Sequence, residues 1–277
     1  MQMQLFKHDL IEGIWRRKQY FLLAVFVSLL SCIGLHQTIR NLSLTMEVGN
    51  GSVMDYWVYL TMCGKEYKLD LFSFFQVPVR WICLQMFALI CIGNYLLDDM
   101  QQWGYQVILR SRDRIWWWIS KIIWCVSLII CYYVICFLVT GIYAFLHEAD
   151  WNIHPNLAIM RAACKVGFAK CSIQRLLFIS VIQPILLSVF LALLQIVLHL
   201  LIEPMHAFVI LFCILVVSTY HKSWVLVGNW GMPYRMYPIE KSGFDPDTCL
   251  FMICIGIIFC STLGCLLFQK KDILESR

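Results

Sequence analysis

Residues 176–202 read LLFISVIQPILLSVFLALLQIVLHLLI, without a single Asp, Glu, Lys or Arg. As a helix rising about 1.5 Å per residue, this stretch reaches about 40 Å, more than the roughly 30 Å of a bilayer's hydrocarbon. It lacks the period-two alternation of a barrel strand, and a span surrounded by lipid must pair its own backbone groups. It is therefore read as a transmembrane helix. Five further stretches of this kind divide the chain, and the six expected spans lie near 19–39, 81–97, 119–146, 176–202, 204–221 and 248–269. With 61% hydrophobic residues against 14% charged in a 277-residue chain, an ordinary soluble domain is a poor fit. The expected fold is an all-α integral membrane protein, with a cytoplasmic segment 1–18, a six-helix domain 19–269 and a cytoplasmic tail 270–277.

The first span does not read as a cleavable signal, because about 18 residues precede it and no small-x-small site follows its apolar core. With both termini inside, Lys and Arg number eleven on each side, so position decides the orientation. Arg16, Arg17 and Lys18 abut the first span, Arg110, Arg112 and Arg114 precede the third, and Lys270 and Lys271 close the sixth. Charges close to span ends weigh most, which places both termini in the cytoplasm. Lys65 and Lys68 lie mid-loop in a connection of about 40 residues and weigh less. The basic cluster before the third span runs into Trp116, Trp117 and Trp118, an interfacial belt.

Ahead of the first span, Phe6, Leu10, Ile11, Ile14 and Trp15 share a helical arc, with His8, Asp9, Glu12 and Arg16 opposite. The pattern suits a helix lying in the cytoplasmic interface, bent at Gly13, or equally a plain extension of the first span. Between the second and third spans, 98–114 mixes both charge signs with Trp103, Tyr105, Val107 and Leu109. It reads as a short helix along the membrane face that offers a docking surface, or as an anionic-lipid contact through its arginines.

On the outer side, 222–247 carries Trp224, Trp230, Met232 and Tyr234 but is broken by Gly228, Gly231 and Pro233. Two readings stand: half-inserted helices that lid a pathway, and an interfacial loop with aromatic anchors. Within the spans, the polar residues Gln85, Asn94, Gln183, Gln195, His199 and His206 serve either helix–helix hydrogen bonds or a substrate. Gln183-Pro184 stands out, because proline frees a carbonyl in mid-helix. His199 and His206 flank the Glu203-Pro204 turn and read as a solvated end. Gly256, Cys260 and Gly264 place a small residue at every fourth position, for close helix packing.

Eleven of the fourteen cysteines lie in or beside spans, and no C-x-x-C occurs, which argues against a disulfide framework or a metal site. Cys63, Cys164 and Cys171 fall in outer segments, where an oxidising compartment allows a pair. No catalytic constellation emerges. Asp98-Asp99 and Asp245-Pro-Asp247 sit beside span ends as solvated charge, neither H-E-x-x-H nor G-x-S-x-G appears, and no G-x-x-x-x-G-K-[ST] loop is present to cradle ATP.

The amphipathic start, the six spans, the stretch Leu109-Arg-Ser-Arg-Asp-Arg-Ile-Trp-Trp-Trp-Ile-Ser-Lys121 and the tail Phe268-Gln-Lys-Lys-Asp-Ile-Leu274 together resemble a permease subunit of the ABC-2 type of ABC transporter. The first stretch is similar to the L-S-R-x-x-R-x-x-W-W-x-x-K pattern of small bacterial members, the second to their F-x-x-K-D-I-L ending. The resemblance implies a non-enzymatic transport subunit in the plasma (inner) membrane, paired with an identical or homologous permease. Two separate ATPase subunits would drive it and hold the ATP and Mg, so this chain would bind no cofactor or metal. It further implies a coupling helix at 98–114 that meets the ATPase through Gln101, Trp103, Tyr105, Arg110, Arg112 and Arg114, braced by the N-terminal helix. A pathway would include Gln85, Asn94, Gln183 and Pro184, and an outer gate Trp224, Trp230, Met232 and Tyr234. The exported substrate would be an antimicrobial peptide, a drug or a lipid; membrane lipid is a partner and nucleic acid is not. The alternative is a six-helix scaffold or a membrane-embedded enzyme without an ATPase, the latter requiring ionisable groups that converge inside the bundle.

Overall fold

The computed structural model describes residues 2–15, 17–44, 49–64, 67, 77–93, 95–101, 114–164 and 171–270. Among them no β-strand occurs. Helix α1 (Gln2–Trp15) precedes α2 (Phe21–Ser43), followed by α3 (Val53–Thr61), α4 (Val79–Ile92), α5 (Tyr95–Gln101) and α6 (Arg114–Leu146). After α7 (Leu157–Cys164) come α8 (Ile173–Leu198), α9 (Pro204–Tyr220) and α10 (Pro246–Lys270). Five helical stretches are long and apolar enough to cross a bilayer: Lys18–Ser43, Val79–Met100, Arg114–Leu146, Ile173–Leu198 and Pro246–Lys270. At 17 residues, α9 is apolar but shorter. The long helices run alternately between two ends of the bundle, one holding α1 and the 199–203 turn, the other holding α3, α7 and 222–245.

Helix α6 shows why these segments match lipid. Along its 33 residues, Trp117, Lys121, Trp124, Leu128, Tyr132, Cys136, Thr140 and Ala144 form a buried stripe at helical spacing. Trp116, Ile123, Ile130, Val134, Phe137, Ile142 and Phe145 point outward. A soluble helix would put charge on that face. The same outward apolar face recurs on α2, with Leu22, Phe26, Leu30 and Ile33, and on α10, with Phe251, Ile255, Ile258 and Phe259. Surfaces so extensively apolar are at rest in hydrocarbon and not in water.

Helix α8 is the central element, packing on α4, α6, α9 and α10. Its first turns are irregular. Residues Phe178–Ile182 form a π-helical turn immediately before Gln183-Pro184. Pro184 has no N–H for the carbonyl four residues back, that of Ser180. The freed Ser180 carbonyl accepts instead from the Trp57 indole at 3.0 Å. One turn on, the Pro184 carbonyl accepts from Gln85 Nε2, Tyr133 Oη and Ser188 Oγ, while Ser188 Oγ also donates to Gln85 Oε1 at 2.6 Å. This knot joins α4, α6 and α8 without leaving the interior.

Small residues set the closest approaches. A Cβ at Gly264 would strike the Trp118 indole and one at Gly256 the Phe190 ring, so both glycines of the α10 stripe serve packing within the chain. Within the second expected span, Gly93, with φ +46°, ends α4, and α5 starts at Tyr95, both inside the apolar stretch Val79–Met100. The connection of about 40 residues before it differs from its expectation, because it contains α3, which is buried on nearly every side.

A reciprocal capping box starts α3: Ser52 Oγ accepts from Asp55 N, and Asp55 Oδ2 accepts from Ser52 N at 2.8 Å. Asp55 Oδ1 also accepts from Asn156 N at 2.8 Å. Despite these donors, burial dominates and raises the carboxyl from 3.8 to about 6. A carboxyl raised on folding contributes stability that is complete below pH 3.8 and lost as pH rises through about 6. Thermal unfolding in detergent is therefore expected to show a midpoint component that climbs on acidification from pH 6 to 4 in the wild type and is missing in Asp55→Asn. Parallel pH profiles of the two proteins would contradict the assignment.

Candidate functional site

Helix α1 meets the bundle through charge. Asp9, on its polar face, is only 1% exposed. Its Oδ1 lies 2.6 Å from the Nζ of Lys121 in α6, and its Oδ2 accepts from Ser120 Oγ at 2.6 Å. The same ammonium lies 2.7 Å from Asp99 Oδ2 of α5. Lys121 is fully buried, and Asp99 is nearly so. Tyr95 Oη donates to Asp9 at 3.0 Å and Trp117 Nε1 to Asp99 at 3.1 Å. The two rings also face the ammonium, at 4.8 and 4.9 Å from their centroids. One ammonium between two carboxylates leaves a formal charge of −1, which these neutral donors spread and His8 Nδ1, 3.7 Å from Asp9, borders.

Three corrections follow. The sequence places Asp9 on a solvated face and Asp98-Asp99 in solvated charge, yet Asp9 and Asp99 are buried and only Asp98 is exposed, 3.4 Å from Arg17. Ionisable groups do converge in this bundle, at the α1 end. And Gly13 makes no bend: α1 is continuous, and a Cβ there would strike Trp124 of α6, so its role is close contact. The outward side of α1 shows Ile11 and Trp15, the latter 67% exposed. Lys7 is exposed as well, so the outward side mixes charge with apolar groups while Asp9 is turned inward.

His8, Asp9 and Asp99 bring one ligand atom each within 4.8 Å of one another, a spacing that suits a metal ion. The Lys121 ammonium already stands between the carboxylates, so it takes the place of that cation. A metal would have to expel a buried ammonium, and the donor set fits a structural ion pair better.

The expected site residues fall into separate regions. Trp103, Tyr105, Arg110, Arg112 and Asn94 lie outside the described residues. Gln101 ends α5, and Arg114 opens α6, donating to the Gln269 carbonyl of α10 at 2.9 Å. Gln85 and Pro184 belong to the central knot. Gln183, also fully buried, donates to the Trp230 carbonyl at 2.8 Å. The segment 222–245, expected on the outer side, forms two short 3-10 turns, Val227–Gly231 and Pro233–Arg235, and no half-inserted helix. Met232 and Tyr234 are buried beneath it, Trp224 is half exposed against Phe244, and Trp230 stacks on Phe190.

Sequence reasoning passed over Arg235, which organises this end of the bundle. Its guanidinium, 1% exposed, donates to the Ser218, Thr219 and His221 carbonyls at the end of α9 and to Asn229 Oδ1. A cation on the unpaired carbonyls of a helix C-terminus is favourable. Cys63, Cys164 and Cys171 are free thiols, and burial pushes Cys63 up to about 11 and Cys164 up to about 12, which keeps them protonated. His199, read above as solvated, is buried at the α1 end, and neither ring nitrogen has a hydrogen-bond partner among the described residues.

No family model, curated protein or solved structure matches this chain. The chemistry of the α1 end carries the reading that follows.

Removing one member of a buried ion cluster strands the other charges, at a cost of about 3–5 kcal/mol. Lys121→Met is expected to lower the thermal midpoint in detergent and to expose α1 to protease. Adding Asp9→Asn and Asp99→Asn to Lys121→Met should restore much of the loss, since no charge is then left unpaired. If Lys121→Met unfolds like the wild type, the cluster contributes no more than a surface pair does.

Proposed function

We propose that this chain is the multi-pass membrane subunit of an ABC-2-type exporter, working as a dimer with an identical or homologous permease and driven by two separate ATPase subunits. The observation that carries this reading is where the buried cluster lies. Residues 102–113 connect two helices, α5 and α6, that are both clamped to Lys121, as is α1. A force applied to that connection therefore reaches α6, the longest described helix, without first being lost in a loose joint. Three elements locked by buried charge move as one body, which is what an ATP-driven tilt of the spans requires.

In this reading α9 is the sixth span. Its 17 residues give about 25 Å, a deficit that local bilayer thinning accommodates. Six crossings put both termini on one side, the cytoplasm of a plasma (inner) membrane. The loop at 98–114 acts as the coupling helix, and α1 braces it from the interface. ATP and Mg reside on the partner, because the sequence has no phosphate-cradling loop of its own. An antimicrobial peptide, a drug or a lipid is the cargo the resemblance favours. The scaffold or enzyme alternative gains nothing from the ionic cluster, whose carboxylates and ammonium are engaged with one another.

Gentle detergent extraction and purification of the chain from its source membrane should bring down a second polypeptide that hydrolyses ATP. A preparation with full recovery of the chain and no ATPase would favour the scaffold reading. Arg112→Glu combined with Arg114→Glu should leave insertion intact but abolish assembly with the ATPase or its coupled transport. Unchanged transport in that variant would remove the docking role from the loop.

A further inference from the structure

A cavity of about 470 Å³ opens at the α1 end, between the starts of α2 and α9 and the ends of α4 and α8. Its walls are mostly apolar, with Leu89 and Ile90 on one side and Met205 and Phe208 on the other. Met205 and the neighbouring Leu201 are strongly exposed, so apolar groups stand at the mouth beside the exposed Glu203 and His206.

Three polar groups converge on this apolar space. Arg17 lines it with a side chain 11% exposed, held over Gly93, where a Cβ would strike the guanidinium. The positive φ of Gly93 and the lack of a side chain there together make room for this cation. Among the described residues its partners are the Asp98 carboxylate, 3.4 Å away and mostly in solvent, and the Tyr20 ring, 5.4 Å from its centroid, which leaves the cation able to take a further anion. Gln195 also lines the cavity; it is 2% exposed, and its Oε1 accepts no hydrogen bond from any described residue. A buried acceptor without a donor is unfavourable, and a ligand with an N–H supplies the missing partner. Glu203 adds a carboxylate at the rim, 3.5 Å from His206.

One cation and two acceptors, set in an apolar groove at the depth of a bilayer surface, call for an amphiphile that carries both an anion and a hydrogen-bond donor. We propose that this cavity holds a phospholipid with a primary-amine headgroup, its phosphodiester on Arg17, its ammonium between Gln195 and Glu203, and its acyl chains leaving past Met205. The proposal rests on the helices lying in a bilayer and not on the transport reading. A phosphodiester would pair with Arg17 directly, and an ammonium would supply the donor that Gln195 lacks. A choline headgroup carries the same phosphate and charge but has no N–H. Free phosphate has the anion but no chain to fill the apolar walls.

The test is native mass spectrometry of the purified full-length chain in detergent, titrated with phosphatidylethanolamine, phosphatidylcholine and phosphatidylglycerol of matched acyl chains, and with inorganic phosphate. The expected result is a retained phosphatidylethanolamine adduct about tenfold tighter than the phosphatidylcholine adduct, the worth of one charge-assisted hydrogen bond. Phosphatidylglycerol should be weaker than phosphatidylethanolamine, and phosphate alone should leave no adduct. Arg17→Gln should lower retention of both ethanolamine and choline lipids. Glu203→Gln, an exposed and conservative change, should narrow the preference between them, and Gln195→Leu should narrow it further. Equal retention of ethanolamine and choline lipids, an equal or stronger glycerol lipid, a phosphate adduct as strong as the lipid one, retention of both lipids untouched by Arg17→Gln, or a preference untouched by Glu203→Gln would each overturn the assignment. Loss of the ATPase partner would leave this measurement unaffected, so the two readings fail separately.

Discussion

The ammonium of Lys121 lies within 2.7 Å of carboxylates from two other helices, and the described architecture at the α1 end depends on it. Three ionisable groups out of water carry a large desolvation cost, which their mutual attraction offsets only if the geometry is close and the remaining lone pairs find donors. Both conditions are met here, through Ser120, Tyr95 and Trp117. Apolar contact in lipid is weakly directional, because one hydrocarbon surface resembles another. A buried ion triad has one geometry, so it fixes where α1 sits and how α5 meets α6.

The two ends of the bundle are tied by different mixtures of contacts. At the α1 end the buried joint is ionic. At the opposite end the buried joints are carbonyls capped by side chains, Arg235 on the last turn of α9, Trp81 on Gly231 at 3.2 Å and Asn229 on His221 and Ser223, while more exposed ion pairs join Arg175 to Asp245 and Asp247 and Lys222 to Glu240. Between them, the Gln85–Ser188–Tyr133 knot uses neutral groups alone, as fits the stretch furthest from water.

Much of the fold was legible in the sequence, since runs free of charge and long enough for a bilayer have little alternative to helix. Five such helices stand nearly where the runs lie, with ends that shift by a few residues because caps and turns, not hydropathy, set them. Two features escaped. Helix α3 has only nine residues, too short for a hydropathy window, though Ser52-x-x-Asp55 before Tyr56-Trp57-Val58 was a readable N-terminal signal. The charge cluster escaped because its members are far apart in the chain: Asp9, Asp99 and Lys121 each look like solvated charge near a helix end, and only tertiary packing turns them toward one another. Gln85 and the Pro184 carbonyl hydrogen-bond one another across helices, one of the two uses the sequence left open for polar groups in the spans.

Trp57 and Pro184 make a final point about interdependence. The proline leaves a carbonyl at Ser180 that its own helix cannot use, and the indole of a separate short helix takes it up. An irregularity in the central helix has thus become the mooring of α3. A regular α8 would offer that indole no free carbonyl, and loss of the indole would take away the donor that the Ser180 carbonyl uses. A shift in the first turns of α8 is thereby felt by α3, which also packs on α2, α4 and α6.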